Sequence, residues 1–431
     1  MNRGESERSD ARRNAQRAVR PSPPHVAVVV LGDLGRSPRM QYHALALADA
    51  GARVDLIGLA GSEPFGAVRA QSAIRVRTLP DPPPPRAAAG PAYLAGAARR
   101  LVAQARALQQ ALDDAAAPVV LVQTPPALPT LAVALRAARR RGARLVVDWH
   151  NLGHALLALR LGAAHPVVRL AALAEQHLGR RADAHLCVSA AMRAALRTRW
   201  GIDASVLPDR PARPFAPLPA AAREEAARAL AARHGWTGTG ARPALVIAPS
   251  GWSADDDFPL LLEALPRGDA RLAADGPGVV LLLTGAGPRR AAVAAQLEAL
   301  RLARLAPRAV WLPADEYPTA LAAADLGLCL HRSASRLDLP MKIADMFGAG
   351  LPVCALDDGG CLPEMVRPDV DARLFTDADG LAAALADLVG GATGATPALD
   401  RLRTGALAVA AGPRWDDAWR AHAAPLLLGE P

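Results

Sequence analysis

Short apolar segments, each followed by a turn and a helix, recur along this chain of 431 residues. Val26–Leu31 is the first of them and contains no polar residue. Uninterrupted apolar runs of strand length are typical of parallel strands that helices cover on both faces. The repeated strand–helix order therefore predicts doubly wound α/β sheets. Further strands are predicted at Val54–Gly58, Val119–Gln123, Leu145–Trp149, Ala184–Ser189, Leu245–Pro249, Val279–Thr284, Ala309–Leu312, Leu326–Leu330 and Pro352–Ala355.

A proline-rich segment divides this pattern into two halves. Residues 208–219 hold five prolines and no helical period, which is typical of an extended linker. We predict one Rossmann-like domain over residues 25–207, a second over 220–412 and a C-terminal helix over 413–431. Residues 1–24 mix arginine with acidic residues and lack an apolar stretch, so we expect a disordered tail rather than a signal peptide.

The composition excludes several classes of protein. Hydrophobic residues make up 51% and charged residues 21%, so a large core can form. The net charge of +9 comes from arginines scattered among alanine and leucine, not from the basic stripe that a nucleic-acid binder needs. No apolar run approaches the ~20 residues that span a bilayer. The four cysteines stand singly, which predicts buried thiols in a reducing compartment and no zinc site.

The first two candidate sites follow strands of the first half. Gly32 and Gly35 form a turn before a predicted helix, with Ser37 as its N-cap and Pro38 in its first turn. Backbone N–H groups in such a turn can approach an anion. Arg36 and Arg39 flank the turn and could bind phosphate, but the third glycine of a dinucleotide-binding motif is missing.

The strand Leu145–Trp149 places polar groups at its carboxyl end. Asp148, His150 and Asn151 stand there, and a histidine beside a carboxylate is suited to proton transfer near neutral pH. The alternative is a histidine that only bonds the next loop.

Two more candidate sites lie in the second half. Thr284, Gly285 and Gly287 form another strand-to-helix turn, which could bind an anion or be a plain turn. Lys342, the only lysine of the chain, opens a later helix, where the helix dipole disfavours a cation unless an anionic ligand docks beside it. Lys342 could also be an ordinary surface lysine, and Asp345, one turn on, could accept from ribose hydroxyls or pair with Lys342.

These blocks together resemble a known family. The strings GDLGRSPRMQYHALALA, VVDWHNLGH, SGWSADDDFPLLLEAL, TGAGP, ADLGLCLHRSASRLDLPMKIADMFGAGLPVCAL and RWDDAW occur in this order between about residues 26 and 420. They are similar to the chitobiosyldiphosphodolichol β-mannosyltransferases, which are GT-B fold glycosyltransferases of family 33. The resemblance implies two Rossmann-like domains that face a cleft, with the last helix crossing back to the first domain.

The resemblance also implies an activity. Such an enzyme would transfer mannose from GDP-mannose to an N,N′-diacetylchitobiosyl-diphospho-lipid, forming a β1,4 bond with inversion and without a metal or cofactor. We expect a nucleotide-sugar donor, a lipid-diphosphate-linked glycan acceptor, no nucleic acid and peripheral membrane contact. The expected location is the cytoplasm, at the cytosolic face of the endoplasmic reticulum in a eukaryote, with no transmembrane segment in this chain. The alternatives are a GT-B enzyme with another polyprenyl or glycolipid acceptor, and a non-enzymatic sugar-nucleotide-binding or scaffold protein.

Residue roles follow from the matching motifs. Lys342 would neutralise the diphosphate leaving group, and inversion needs a base, for which the candidates are His150, Asp148 and Asp33, with His150 favoured by its ordinary pKa. The remaining donor residues would be Trp252, Thr284, Gly285, Gly287, His331, Ser333, Ser335, Asp338, Leu339 and Asp345, with the acidic run Asp255–Asp257 beside them. The acceptor residues would be Gly32, Gly35, Arg36, Ser37, Arg39 and Asn151.

The chain departs from the family pattern at three places. Eukaryotic members usually begin with a membrane-anchoring helix, where this chain has a charged tail. Arg336 stands where members commonly have glycine, and Val370–Asp371–Ala372 replaces a glutamate-asparagine-glycine turn.

Overall fold

Two parallel β-sheets organise the chain, one in each half of the sequence. The computed structural model describes residues 23–83, 90–238, 240–391 and 396–429, so most of the predicted tail lies outside the described residues. The first sheet contains β1 (His25–Asp33), β2 (Arg53–Leu59), β3 (Ile74–Leu79), β4 (Val119–Thr124), β5 (Arg144–Trp149), β6 (Ala184–Cys187) and β7 (Ser205–Val206). Its spatial order is β3-β2-β1-β4-β5-β6-β7.

The second sheet repeats the same plan. It contains β8 (Ala244–Pro249), β9 (Val279–Thr284), β10 (Leu305–Val310), β11 (Leu326–Cys329), β12 (Val353–Leu356) and β13 (Ala372–Phe375), in the order β10-β9-β8-β11-β12-β13. Strand order reverses between β1 and β4 and between β8 and β11, and ligands bind at the carboxyl ends of the strands beside such a reversal. The expected pair of doubly wound α/β sheets is confirmed. We call the first sheet with its helices the N-terminal lobe and the second with its helices the C-terminal lobe.

Helices connect successive strands in both lobes. They are α1 (Pro38–Asp49), α2 (Gly66–Ala70), α3 (Gly90–Ala115), α4 (Thr130–Arg141), α5 (Gly153–Leu161), α6 (Pro166–Gly179), α7 (Ala190–Ala195), α8 (Ala220–Arg233), α9 (Phe258–Asp269), α10 (Arg290–Ala299), α11 (Tyr317–Ala323), α12 (Met341–Gly348), α13 (Ala378–Val389), α14 (Pro397–Ala410), α15 (Trp415–His422) and α16 (Ala424–Leu428). Ser37 precedes α1, but its hydroxyl donates to Asp33 O at 2.8 Å and makes no side-chain cap. None of the described helices is both long and apolar enough to cross a bilayer.

The edges of the two sheets differ from the strands that the sequence predicts. The strand predicted at Ala309–Leu312 is Leu305–Val310, and β3, β7 and β13 have no counterpart among the predicted strands. All four are edge strands. An edge strand has one neighbour and more contact with water, so it lacks the continuous apolar run that marks a central parallel strand.

The linker and the last helices tie the lobes together. Residues 207–219 contain no helix or strand, as expected of the linker. The Arg414 guanidinium donates to the linker carbonyls of Ala212 and Phe215 at 2.7 and 2.6 Å. Trp419 is buried and reaches His43 in α1, which confirms that the C-terminal helix crosses back to the first lobe. The predicted single helix is two, α15 and α16, because Pro425 lies in the first turn of α16 and cannot donate to the preceding helix.

Candidate active site

The loops at the carboxyl edges of the two sheets contact each other. Arg36, after β1, donates from Nη2 to the carbonyl of Ala286, after β9, at 2.6 Å. Ser189, after β6, donates from its hydroxyl to the carbonyl of Leu337, after β11, at 2.5 Å. The strand ends that carry the predicted site residues therefore line one cleft between the lobes.

Lys342 is held at the C-terminal side of this cleft by a buried aspartate. Its ammonium lies 3.0 Å from Oδ1 of Asp256, and the lysine side chain is 28% exposed against 2% for the aspartate. The other carboxylate oxygen accepts from the Ser250 hydroxyl at 2.7 Å and from Gly251 N at 3.0 Å. Burial alone would raise the pKa of Asp256, but Lys342 and Ser250 outweigh it and hold that pKa below its usual value. Lys342 is thus neither a plain surface lysine nor the partner of Asp345.

A second aspartate gathers the loop between β11 and α12. Asp338 accepts from His331 Nε2 at 3.1 Å, from the Ser335 hydroxyl at 3.3 Å and from the Ser333 hydroxyl. Burial raises the pKa of Asp338, but His331 and Ser333 more than offset this and lower it. Arg336 in the same loop has φ +60°, the left-handed conformation that favours the glycine expected there. The structure therefore brings the predicted serines and His331 together around one carboxylate.

The glycine turn after β9 is required by close packing. A Cβ on Gly285, at φ +116°, would lie 2.1 Å from Ser250 O, and one on Gly287 would lie 2.0 Å from Gly251 O. Thr284 ends β9 and is almost completely buried. This turn therefore packs against the loop that supports Asp256. The spacing of the glycines in the sequence does not indicate this contact.

Trp252 does not lie where it was expected. Its side chain is completely buried and stacks on Phe258, with ring centroids 5.1 Å apart, inside the C-terminal lobe. A completely buried indole belongs to the core of the lobe, whereas the sequence predicted a side chain that faces a donor, so the assignment of the Trp252 side chain as a donor contact is corrected.

Leu339 and Asp345 lie on either side of Lys342 in sequence. Leu339 is buried. Asp345 is half-buried, and burial, with the Asp209 carboxylate of the linker adding to it, raises the pKa of Asp345 well above its usual value.

Arg39 and Asp148 form a sealed ion pair behind the N-terminal side of the cleft. Arg39 donates to both oxygens of Asp148, at 2.7 and 3.0 Å, and to Asp209 Oδ1 at 2.7 Å. The side chains of Arg39 and Asp148 are 1% and 0% exposed. Burial alone would raise the pKa of Asp148, but Arg39 and His43 hold it far below its usual value. Asp148 cannot serve as a base and Arg39 cannot reach an acceptor, so both assignments are corrected.

His43, which the sequence did not single out, completes this buried network. Its Nε2 lies 3.2 Å from Asp148 Oδ2, and its Nδ1 accepts from Trp419 Nε1 at 3.0 Å. Because the indole can only donate, Nδ1 carries no proton and Nε2–H donates to the carboxylate. Burial lowers the pKa of His43. We call Arg39, His43, Asp148 and Asp209 the sealed network.

His150 directly follows β5 and is partly buried. Its backbone N–H donates to Thr124 O at 3.0 Å, and its Nε2 is a buried atom with no partner among the described residues. Burial, and then the charge of Arg39, lower the pKa of His150 below the ordinary 6.5. At neutral pH the imidazole is therefore uncharged and able to accept a proton.

The other residues of the N-terminal side organise their own loops. Asp33 accepts from Ser62 N and the Ser62 hydroxyl, both at 2.9 Å, and from Gly35 N at 3.1 Å. A Cβ on Gly35 would lie 2.5 Å from Ser62 O, whereas Gly32 would tolerate one. Asn151 accepts from Leu152 N at 2.7 Å. Within the described ranges, no group of three His, Cys, Asp or Glu side chains is placed to hold a metal ion.

Comparison with known proteins adds names to this geometry. Residues 35–209 match the family described as "Glycosyl transferase 4-like domain", and residues 243–390 match "Glycosyl transferases group 1". A Mus musculus protein named chitobiosyldiphosphodolichol beta-mannosyltransferase is 36% identical over 94% of this chain and 89% of its own length. An Arabidopsis thaliana protein named UDP-glycosyltransferase TURAN is 37% identical over 93% of this chain and 96% of its own length.

Solved structures share the architecture. Anabaena Alr3699/HepE, solved in complex with UDP and glucose, superposes with a TM-score of 0.64 at 18% identity, covering 93% of this chain and 98% of its own. A glycosyltransferase from Rickettsia africae gives a TM-score of 0.60 at 11% identity, covering 95% and 100%. At these identities the likeness shows the fold alone.

Proposed function

Because the chain belongs to the chitobiosyldiphosphodolichol β-mannosyltransferase family, we propose that it transfers mannose from GDP-mannose to a chitobiosyl-diphospho-lipid. It is a glycosyltransferase with the two facing lobes of the GT-B fold. The observation that carries the proposal is the Lys342–Asp256 pair: the only lysine of the chain, partly exposed, at the carboxyl edge of the sheet and oriented by a buried carboxylate.

Lys342 would stabilise the departing nucleoside diphosphate. The C–O bond between mannose and the diphosphate breaks, and the negative charge that develops on the leaving oxygen is neutralised by the ammonium. Asp256 fixes the direction of the amine, and its other oxygen is held by Ser250 and Gly251. Because a protein cation supplies this charge, we expect turnover to be the same with and without EDTA.

The remaining proposed donor contacts come from the loops and the helix start that follow β9 and β11. They are Thr284, Gly285, Gly287, His331, Ser333, Ser335, Asp338, Leu339 and Asp345. His331 and the two serines all hydrogen-bond to Asp338. These bonds hold the loop in one conformation in the absence of a donor.

His150 is the proposed base. The acceptor hydroxyl oxygen attacks the anomeric carbon opposite the leaving group, and its proton passes to the neutral imidazole of His150. That path gives inversion and a β1,4 bond. Of the two other candidates, Asp148 is enclosed in the sealed network and Asp33 already accepts three hydrogen bonds.

The proposed acceptor contacts are on the N-terminal side, at Gly32, Gly35, Arg36, Ser37 and Asn151. A lipid-linked acceptor implies peripheral membrane contact on the cytosolic side. A second candidate donor is a UDP-sugar, which the printed name of the Arabidopsis relative favours.

A donor screen tests the proposal. The purified chain is incubated with a chitobiosyl-diphospho-phytanyl acceptor and, separately, GDP-mannose, UDP-glucose and UDP-N-acetylglucosamine. We expect turnover only with GDP-mannose, and NMR of the product should show a new β1,4-linked mannose. Turnover with a UDP-sugar alone, or an α-anomeric product, would overturn the proposal.

A further inference from the structure

Helices α5 and α6 form a hairpin that exposes an unusual amount of apolar surface. Every residue of α5 is at least partly exposed. The exposed large side chains of the hairpin are Leu159 (58%), Leu161 (43%), Val167 (48%), Leu170 (67%) and Leu173 (62%). Several exposed apolar side chains on two adjoining helices are typical of an interaction site. Helix α8, on the C-terminal lobe, shows the usual pattern, since its Leu230 is buried.

The hairpin is fixed at the edge of the cleft. Glu175 of α6 is completely buried and accepts from Gly153 N at 2.8 Å and from His154 N and Nδ1 at 3.3 and 2.7 Å. This carboxylate therefore caps the start of α5 and holds the two helices together. Helix α5 begins directly after the loop that carries His150, so the apolar surface has a defined position beside the proposed base.

The charge of the hairpin indicates what covers it. The only acidic residue of α5 and α6 is the buried Glu175, whereas Arg160 and Arg169 are exposed. A solvent-facing helix pair normally carries both signs of charge. Exposed apolar side chains with arginines and no exposed acidic residue are the combination found in segments that lie in the interface of an anionic bilayer.

We propose that the α5–α6 hairpin docks on an anionic lipid bilayer, with its leucines in the headgroup region and its two arginines on lipid phosphates. The cleft would then open at the membrane surface, where a lipid-linked diphosphate is presented. The benefit to catalysis rests on the proposed function, but the docking does not, and it is measured without donor or acceptor.

Vesicle binding tests the docking directly. The full chain is floated with vesicles of phosphatidylcholine and phosphatidylglycerol, and with vesicles of phosphatidylcholine alone. We expect binding to the anionic vesicles, about tenfold weaker in the double variant L170Q/L173Q, because leucine burial in the interface is lost. R160Q/R169Q should lose roughly fivefold per arginine and should lose its salt dependence. W311Q, which removes an equally exposed apolar side chain (63%) from the C-terminal lobe, is the matched control and should bind like the wild type.

Three results would overturn the docking proposal. The first is no binding by the wild type, and the second is equal binding by the wild type and L170Q/L173Q. The third is a wild-type dimer in the absence of lipid that is lost in this double variant, since the hairpin would then bind a second copy of the chain. Circular dichroism checks folding, and L159Q on α5 supplies an independent variant. With a short-chain soluble acceptor, L170Q/L173Q should turn over at the wild-type rate, while its rate on acceptor embedded in vesicles should fall about tenfold. If the wild type floats but turns over no acceptor, the docking stands and the proposed function fails.

Discussion

Each lobe places a basic residue against an aspartate near the carboxyl edge of its sheet, but the two pairs differ in their access to water. In the N-terminal lobe the Arg39–Asp148 side chains are 1% and 0% exposed, and a second aspartate and His43 close the network. In the C-terminal lobe Lys342 is 28% exposed above a buried Asp256. The three side-chain hydrogen bonds that Arg39 makes all go to carboxylates. An ammonium has three N–H donors, and Lys342 uses one of them on Asp256.

The difference separates a structural pair from a ligand-binding one. A buried pair stabilises little relative to an apolar core, but removing one member leaves an uncompensated charge at high cost. A partly exposed cation, by contrast, can exchange water for an anionic ligand with little change in the fold. We therefore expect substitutions in the sealed network to act on stability and substitutions at Lys342 to act on turnover.

The largest expected effect is on stability, in Arg39→Met. This change leaves Asp148 and Asp209 buried without their cation, which should lower the free energy of unfolding by about 3–5 kcal/mol. Urea denaturation measures it. Arg213→Met is the matched control, because Arg213 also joins two aspartates, Asp49 and Asp416, but its side chain is 63% exposed, and its loss should cost about 1 kcal/mol or less. An equal loss in the free energy of unfolding for the two variants would contradict the distinction between buried and exposed ion pairs.

The next effect is on turnover, in His150→Gln. Loss of a general base should reduce kcat by at least about 10²-fold while the free energy of unfolding stays near that of the wild type. Since burial and Arg39 lower the pKa of His150, the wild-type rate should be flat from pH 8 to about 6.5 and fall only below that range, as the imidazole becomes protonated. A wild-type acid limb above pH 7, or full activity of the variant, would exclude His150 as the base.

The smallest effect concerns acid sensitivity of the sealed network. The folded pKa of His43 lies below the unfolded value of 6.5, so the unfolded chain binds the proton first and stability falls as the pH drops below about 6.5. The indole N–H of Trp419 donates to Nδ1 of His43, so protonation of that nitrogen would break this hydrogen bond. Trp419→Phe should therefore cost roughly 1 kcal/mol at pH 7.5 and make the decline between pH 6.5 and 5 shallower than in the wild type. Parallel stability curves for the two proteins would contradict this role of the indole.

The sequence predicts those parts of the site that come from one continuous segment. It does not predict contacts between residues that are far apart in the chain. The run from His331 to Asp345 is continuous, and its serines and Asp338 do come together. The partner of Lys342, by contrast, lies 86 residues away, and Arg39 contacts carboxylates 109 and 170 residues away. No local pattern shows whether Asp148, at the end of a buried strand, points into the cleft or behind it.

The same limit applies to side-chain direction. Trp252 stands in a motif-rich loop, yet its positive φ of +50° turns the indole into the core. The leucines of α5 and α6 have the composition of a core, and only the tertiary structure shows that the outer ones have nothing packed over them among the described residues.

The proposed mechanism depends on Lys342 to neutralise the departing nucleoside diphosphate. The rate of Lys342→Met with GDP-mannose and the chitobiosyl-diphospho-phytanyl acceptor measures this role. Arg267→Met is the control, because Arg267 also pairs with an aspartate, Asp379, at 2.8 Å, but on the outer helix α9 of the same lobe. We expect kcat of Lys342→Met to fall by about 10²–10³-fold, with folding intact and Arg267→Met unaffected. A Lys342→Met enzyme that turns over as fast as the wild type would contradict the account.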